Sequence, residues 1–138
     1  MNVIDLLKED HQHVAGLFAQ YKAETEGPLK HDILKAILRE LKVHASAEEE
    51  VVYSELAIID QEKTKHAAEE HDRIMNLMTE VDMAPAPTHA TYVAKLEAEV
   101  THHVEEEEGS ALPLLENSLT DDQLEELGRK FVERKSEI

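Results

Sequence analysis

Six residues have the type and spacing to hold metal ions: His11, His44, Glu48, His71, His103 and Glu107. Two of the histidines open the pattern H-x-x-x-E, at His44–Glu48 and at His103–Glu107. A histidine and a glutamate four apart lie one helical turn apart on the same face, so an imidazole nitrogen and a carboxylate oxygen can converge on one point. The stretches containing them, VHASAEEE and HHVEEEEG, align at one constant offset, with His44 on His103, Glu48 on Glu107 and Glu49 on Glu108. Upstream, EDHQHVAGLF (9–18) and EEHDRIMNLM (69–78) match in the same way and place His11 on His71. The chain therefore reads as two copies of one helix pair, and each copy carries two histidines and one glutamate.

These residues interrupt apolar stripes. Ile4, Leu7, Val14, Phe18 and Tyr21 share a helical face, and His11 fills its gap. Ile33, Ile37 and Leu41 lead through His44 and Glu48 to Val52. Ala67, Ile74, Met78 and Val81 flank His71, and Tyr92, Leu96 and Val100 lead into His103 and Glu107. A carboxylate carried into a core costs several kcal/mol unless it is paired or metal-bound. No Lys or Arg shares these stripes, so cations are the natural compensation. One histidine on an apolar stripe is weak evidence for a ligand; four, with two glutamates in matched copies, form a specific set. His13, His31, His66, His89 and His102 fall off the stripes and are expected in solvent. Asp10 and Glu70, each preceding a ligand-type histidine, are candidates to accept the second N–H of a ligand imidazole.

The elements that must position this set are helices. Only four glycines and four prolines punctuate 138 residues, which suits long helices and not a turn-rich β protein. The expected helices run over about 2–24, 29–57, 61–82 and 89–112, with Pro113 ending or kinking the fourth. Asp60 is a candidate N-cap, and Thr120-Asp-Asp-Gln123 reads as a capping box for a last helix carrying Leu124, Leu127 and Phe131. The expected fold is all-α: an up-down-up-down four-helix bundle over about 2–116 with a short C-terminal fifth helix over about 120–137, one domain in all.

Composition narrows the chemistry further. The net charge of -17 repels nucleic-acid phosphates and anionic lipid and favours cations. No cysteine is present, which excludes thiolate sites, iron–sulfur clusters and a cysteine nucleophile. The first residues, MNVIDLLKEDH, lack the apolar core of a signal peptide, and no apolar run reaches membrane-spanning length. A cytoplasmic location is the resulting expectation.

The order DH…H-x-x-x-E…EH…H-x-x-x-E resembles the hemerythrin-like family, the HHE cation-binding domain, over about residues 4–116. The resemblance implies a four-helix bundle holding two Fe ions in an oxo- and carboxylate-bridged di-iron centre. It makes His11, His44, His71 and His103 terminal ligands and Glu48 and Glu107 the bridges. It also implies a small ligand such as O2, peroxide or NO at an open iron position, in a redox or sensing role. A peroxide-decomposing, catalase-like enzyme and an iron storage or sensing module are the alternatives. No residue is marked as a catalytic acid or base.

The chain departs from the oxygen-carrying members at two places. Met75 stands where they have a fifth histidine, and Glu107 follows His103 by four residues where they use an aspartate at five. Both departures shift weight from reversible oxygen carriage toward redox chemistry, sensing or iron handling. Ferritin-like bundles use the reverse order, Glu-x-x-His, and are the poorer match. Tyr53 follows the first H-x-x-x-E pair and is expected to pack rather than to act.

Overall fold

The computed structural model describes residues 1–138, and every regular element is helical. The elements are α1 (Val3–Ala23), α2 (Gly27–Val51), α3 (Tyr53–Ile59), α4 (Gln61–Met83), α5 (His89–Glu106), α6 (Leu112–Ser118) and α7 (Asp121–Glu137). A short 3₁₀ turn, Ala86–Thr88, precedes α5, and a π-helical turn, Glu107–Ala111, separates α5 from α6. The helices group into two compact units: residues 1–54 with 116–138, and residues 55–115.

In the first unit α1 and α2 form a hairpin, and α7 packs on both. Asn2 caps α1 by accepting the Asp5 N–H at 3.0 Å. The buried face of α1 is Val3, Ile4, Leu7, His11, Val14, Phe18 and Tyr21, a run at helical spacing. Pro28 sits in the first turn of α2, where its missing N–H leaves no bond unmade. Lys30 closes the hairpin: its ammonium donates to the carbonyls of Tyr21 and Glu24 at 2.8 and 3.2 Å and lies over the Tyr21 ring. Those carbonyls end α1 and would otherwise lack donors. Thr120 and Gln123 form the expected capping box, which starts α7 and turns Leu124, Leu127 and Phe131 inward. Gly128 lies against the chain's first residues.

In the second unit α4 packs along α5. Asp60 caps α4 by accepting the Lys63 N–H at 3.0 Å. The buried face of α4 is Ala67, Glu70, His71, Ile74, Met78 and Val81; that of α5 is Val93, Leu96, Val100 and His103.

Four details differ from the sequence expectation. Leu34, not Ile33, is the fully buried residue early in α2, and Val93, not Tyr92, in α5. Tyr92 is half-buried, with the Lys95 ammonium over its ring. The second helix breaks at Val52, where two β-branched residues weaken it. The Ser54 hydroxyl there donates to the Glu50 and Val51 carbonyls and competes with the helix for acceptors. The fourth helix runs past Pro113 to Ser118. Its irregularity falls before the proline, where the Leu112 N–H reaches back five residues to the Glu107 carbonyl. Pro113 has no N–H and its ring would strike the carbonyl four residues earlier, so the wider turn relieves both faults. No helix is long and apolar enough to cross a membrane.

Candidate metal centre

Each unit gathers one triad. In the first, His11 on α1 and His44 and Glu48 on α2 are buried, with ligand atoms all within 4.8 Å of one another. His44 Nε2 lies 3.5 Å from Glu48 Oε1, and the two imidazoles meet edge to face. Glu48 is fully enclosed, at 0% exposure. In the second unit, His71 on α4, His103 near the end of α5 and Glu107 at the start of the π turn are likewise buried within 4.8 Å. His71 Nε2 stands 3.0 Å from His103 Nε2, which is 3.2 Å from Glu107 Oε2.

The local sequence explains the convergence. His44 and Glu48 are one turn apart on α2, and His103 and Glu107 one turn apart at the end of α5, so each pair shares a face. Both glutamates stand where the helix then departs from regularity. After Glu48 the break comes at Val52, whose N–H still reaches the Glu48 carbonyl at 2.8 Å. Glu107 itself opens the π turn. π-helical turns occur often at functional sites.

A carboxylate fixes the orientation of one histidine in each triad. His44 Nδ1 donates to Asp10 Oδ2 at 2.8 Å, and His103 Nδ1 donates to Glu70 Oε1 at 2.8 Å. Ionised carboxylates only accept, so the proton sits on Nδ1 and each Nε2 keeps its lone pair. Both acids were expected to support a histidine, yet each serves the one on the facing helix, not its chain neighbour. Lys135 on α7 then clamps Asp10, donating to its two oxygens at 2.7 and 2.8 Å. Burial acts to raise the Asp10 pKa, but the His44 and Lys135 hydrogen bonds outweigh it and hold the carboxyl below its ordinary value. Phe131 on α7 packs edge-on against the His44 ring.

The donor sets fit metal ions. Two imidazole nitrogens bound at about 2.1 Å and at right angles stand about 3.0 Å apart, which is the His71–His103 separation. Nitrogen and oxygen donors of this kind accept Fe, Mn, Co or Zn.

Of the off-stripe histidines, His13 and His31 are exposed. His89 Nε2 bonds the Ala84 carbonyl at 2.7 Å. His66 and His102 are exposed but not simply solvated: both lie against Glu70 and Glu106. Tyr53 is buried. Sequence reasoning missed Lys135 and the arrangement around Glu70. Nothing in local spacing links residue 135 to residue 10; only the acid-rich helix faces hinted at partners elsewhere.

Residues 2–115 match the family model of the hemerythrin HHE cation-binding domain. The chain belongs to that family. A crystal structure of an HHE cation binding domain-containing protein from Mycobacterium kansasii superposes with a TM-score of 0.88 at 25% identity, covering 99% of this chain and 86% of that one. The HHE chain is thus all-α, with the helical bundle fold of its family. It is also 28% identical to a protein from Nostoc sp. named DNA nickase. That match takes in 100% of this chain but only 40% of the relative's length.

Proposed function

We propose that the two units act as one HHE domain holding two iron ions, with His11, His44, His71 and His103 as terminal ligands and Glu48 and Glu107 as bridges. The observation that carries this reading is the matched pair of buried triads, each with one imidazole turned by a carboxylate so that its Nε2 lone pair faces the other donors. A di-iron pair supplies one-electron steps and an open position for a small ligand such as O2, peroxide or NO. The chain's own residues do the rest. Asp10 and Glu70 hold the imidazole protons at Nδ1 and make Nε2 the more basic donor. Glu48 and Glu107 bring negative charge that favours the oxidised metal pair, and the surrounding apolar side chains limit water. The function that follows is a redox or sensing role toward a small oxidant or diatomic ligand.

The test is metal content with an ultraviolet–visible spectrum, on protein purified without added metal and then supplied with iron. Two irons per chain with oxo-bridge charge-transfer bands are expected. Glu48→Ala and Glu107→Ala should each lose the pair, and His13→Ala should keep it. Normal spectra in either glutamate variant would sink the ligand assignment. Repeated peroxide turnover by the reduced protein without inactivation would favour the catalase-like reading of the same centre.

The match to a DNA nickase raises a second reading, metal-assisted phosphodiester cleavage. The net charge of -17 works against it, because a strongly acidic surface repels duplex phosphates. A supercoiled-plasmid nicking assay with the iron- and manganese-loaded chain decides between the two.

A further inference from the structure

Outside the two triads the second unit carries another doubled H-x-x-x-E pattern: His66 with Glu70 on α4, and His102 with Glu106 on α5. Three of them, His66, Glu70 and Glu106, bring ligand atoms within 4.8 Å of one another, and His102 lies against the two carboxylates. His66 Nε2 is 2.9 Å from Glu106 Oε2 and 3.5 Å from Glu70 Oε2; His102 Nε2 is 3.3 Å from Glu70 Oε2 and 3.4 Å from Glu106 Oε1. Nitrogen and oxygen ligands about 2.0–2.1 Å from a small divalent ion stand about 3.0 Å apart in octahedral geometry and about 3.4 Å apart in tetrahedral geometry. The two His66 separations, 2.9 and 3.5 Å, come within about 0.1 Å of those two values.

A second observation points to a ligand. Glu70 is buried, its side chain 2% exposed, and its Oε1 is committed to His103. Its Oε2 is also buried and accepts no hydrogen bond. The first unit shows what such a carboxylate needs: Asp10 accepts from His44 and also receives the Lys135 ammonium on both oxygens. No lysine takes that place at Glu70. The nearest guanidinium nitrogen, on Arg73, is 3.9 Å away, and that side chain is bonded to Glu99 at 2.9 Å. A buried carboxylate oxygen facing two imidazole nitrogens is short of a positive charge.

We infer that His66, Glu70 and Glu106 form a further, mononuclear site for a divalent transition-metal ion, beside the buried triads. One imidazole and two carboxylates suit Zn, Co, Mn or Fe. A cavity of about 320 Å³, lined by His66, Glu70 and Glu106 and also by His103 and Glu107 of the triad, leaves room for water to complete the coordination. Glu70 joins this ion to the triad of its unit. One oxygen binds the ion and the other holds the proton of His103, so occupancy weakens the carboxylate's pull on that imidazole.

The experiment is a zinc titration of the metal-free full chain, counted by native mass spectrometry and calorimetry, beside His66→Ala and Glu106→Gln. The side chains of His66 and Glu106 are 55% and 43% exposed, so the variants should fold; circular dichroism checks this. The wild type should bind one zinc more than either variant, whatever number the buried triads take up. This difference does not depend on the iron reading. Equal zinc counts would overturn the site and leave the quartet as a surface ion cluster. Loss of more than one zinc would also overturn it, because His66 and Glu106 would then belong to the buried donor set.

Discussion

His44 donates its Nδ1 proton to Asp10 across the α1–α2 hairpin at 2.8 Å, the same bond that His103 makes to Glu70 between α5 and α4. In both units the acid comes from the helix that also supplies a lone histidine, and the recipient belongs to the H-x-x-x-E pair. The repeat therefore covers the supporting hydrogen bonds as well as the ligand types. Asp10→Asn and Glu70→Gln keep the size and an acceptor but remove the charge. Each should lower metal affinity by about 10–100-fold with little change in helicity. Competition with a chromophoric chelator measures this, and unchanged affinity in both variants would show that the carboxylates do not tune the site.

Lys135 gives Asp10 a pH signature. Burial raises the Asp10 pKa, and the bonds from His44 and Lys135 more than reverse it, so the folded value lies below the unfolded one. The stabilisation is then fully present above the unfolded pKa and lost as pH falls through the folded value. Lys135→Met removes one source of the lowering. The metal-free variant should unfold at lower urea than the wild type at pH 7, and the gap should narrow in acid as Asp10 becomes protonated in both. Urea midpoints between pH 7 and pH 3 check this; a constant gap would assign the loss to packing over Phe131 instead.

Two glycines should respond with opposite sign to alanine. A Cβ on Gly128 would stand 2.5 Å from the Met1 carbonyl oxygen and 3.1 Å from the Val3 nitrogen. Those are backbone atoms at the start of α1 and cannot swing aside, so Gly128→Ala should cost about 1–3 kcal/mol by separating α7 from α1. Gly16 lies inside α1 with nothing within 4 Å of its Cβ position. Gly16→Ala should stabilise by up to about 1 kcal/mol through helix propensity. Urea unfolding of both proteins is the measurement.

The sequence made some levels of this structure legible and hid others, for identifiable reasons. Periodicity exposed the stripes because burial of a helix face selects residues at fixed spacing. It slipped by one position at Ile33–Leu34 and Tyr92–Val93, where two adjacent apolar residues leave the face ambiguous. All six candidate ligands are buried, since polar residues inside an otherwise apolar stripe are easy to see. Asp10 and Glu70 do accept from candidate ligand histidines, but which histidine each serves was not legible, because spacing defines a face and not what stands opposite it. Lys135 and the quartet around Glu70 depend on pairings between separate helices, which no local pattern encodes.

Pro113 should control where Glu107 points. The Leu112 N–H bonds the Glu107 carbonyl in a five-residue turn, and Pro113 cannot donate to the carbonyl four residues before it. Pro113→Ala restores that N–H and removes the ring, so the regular four-residue register becomes available to 107–113. Closing the wide turn rotates the segment after it by about 100° relative to α5, one residue's worth of helix. Leu112 and Leu115 are buried beyond the turn, so either they leave the core or Glu107 leaves the triad. Burying a leucine contributes about 1.5–3 kcal/mol, so the two leucines should hold and Glu107 should yield. The expected result is a newly protected amide at position 113 in hydrogen exchange, together with weaker metal binding at near-wild-type stability. A protected amide with full metal affinity would show that the π turn does not place the glutamate.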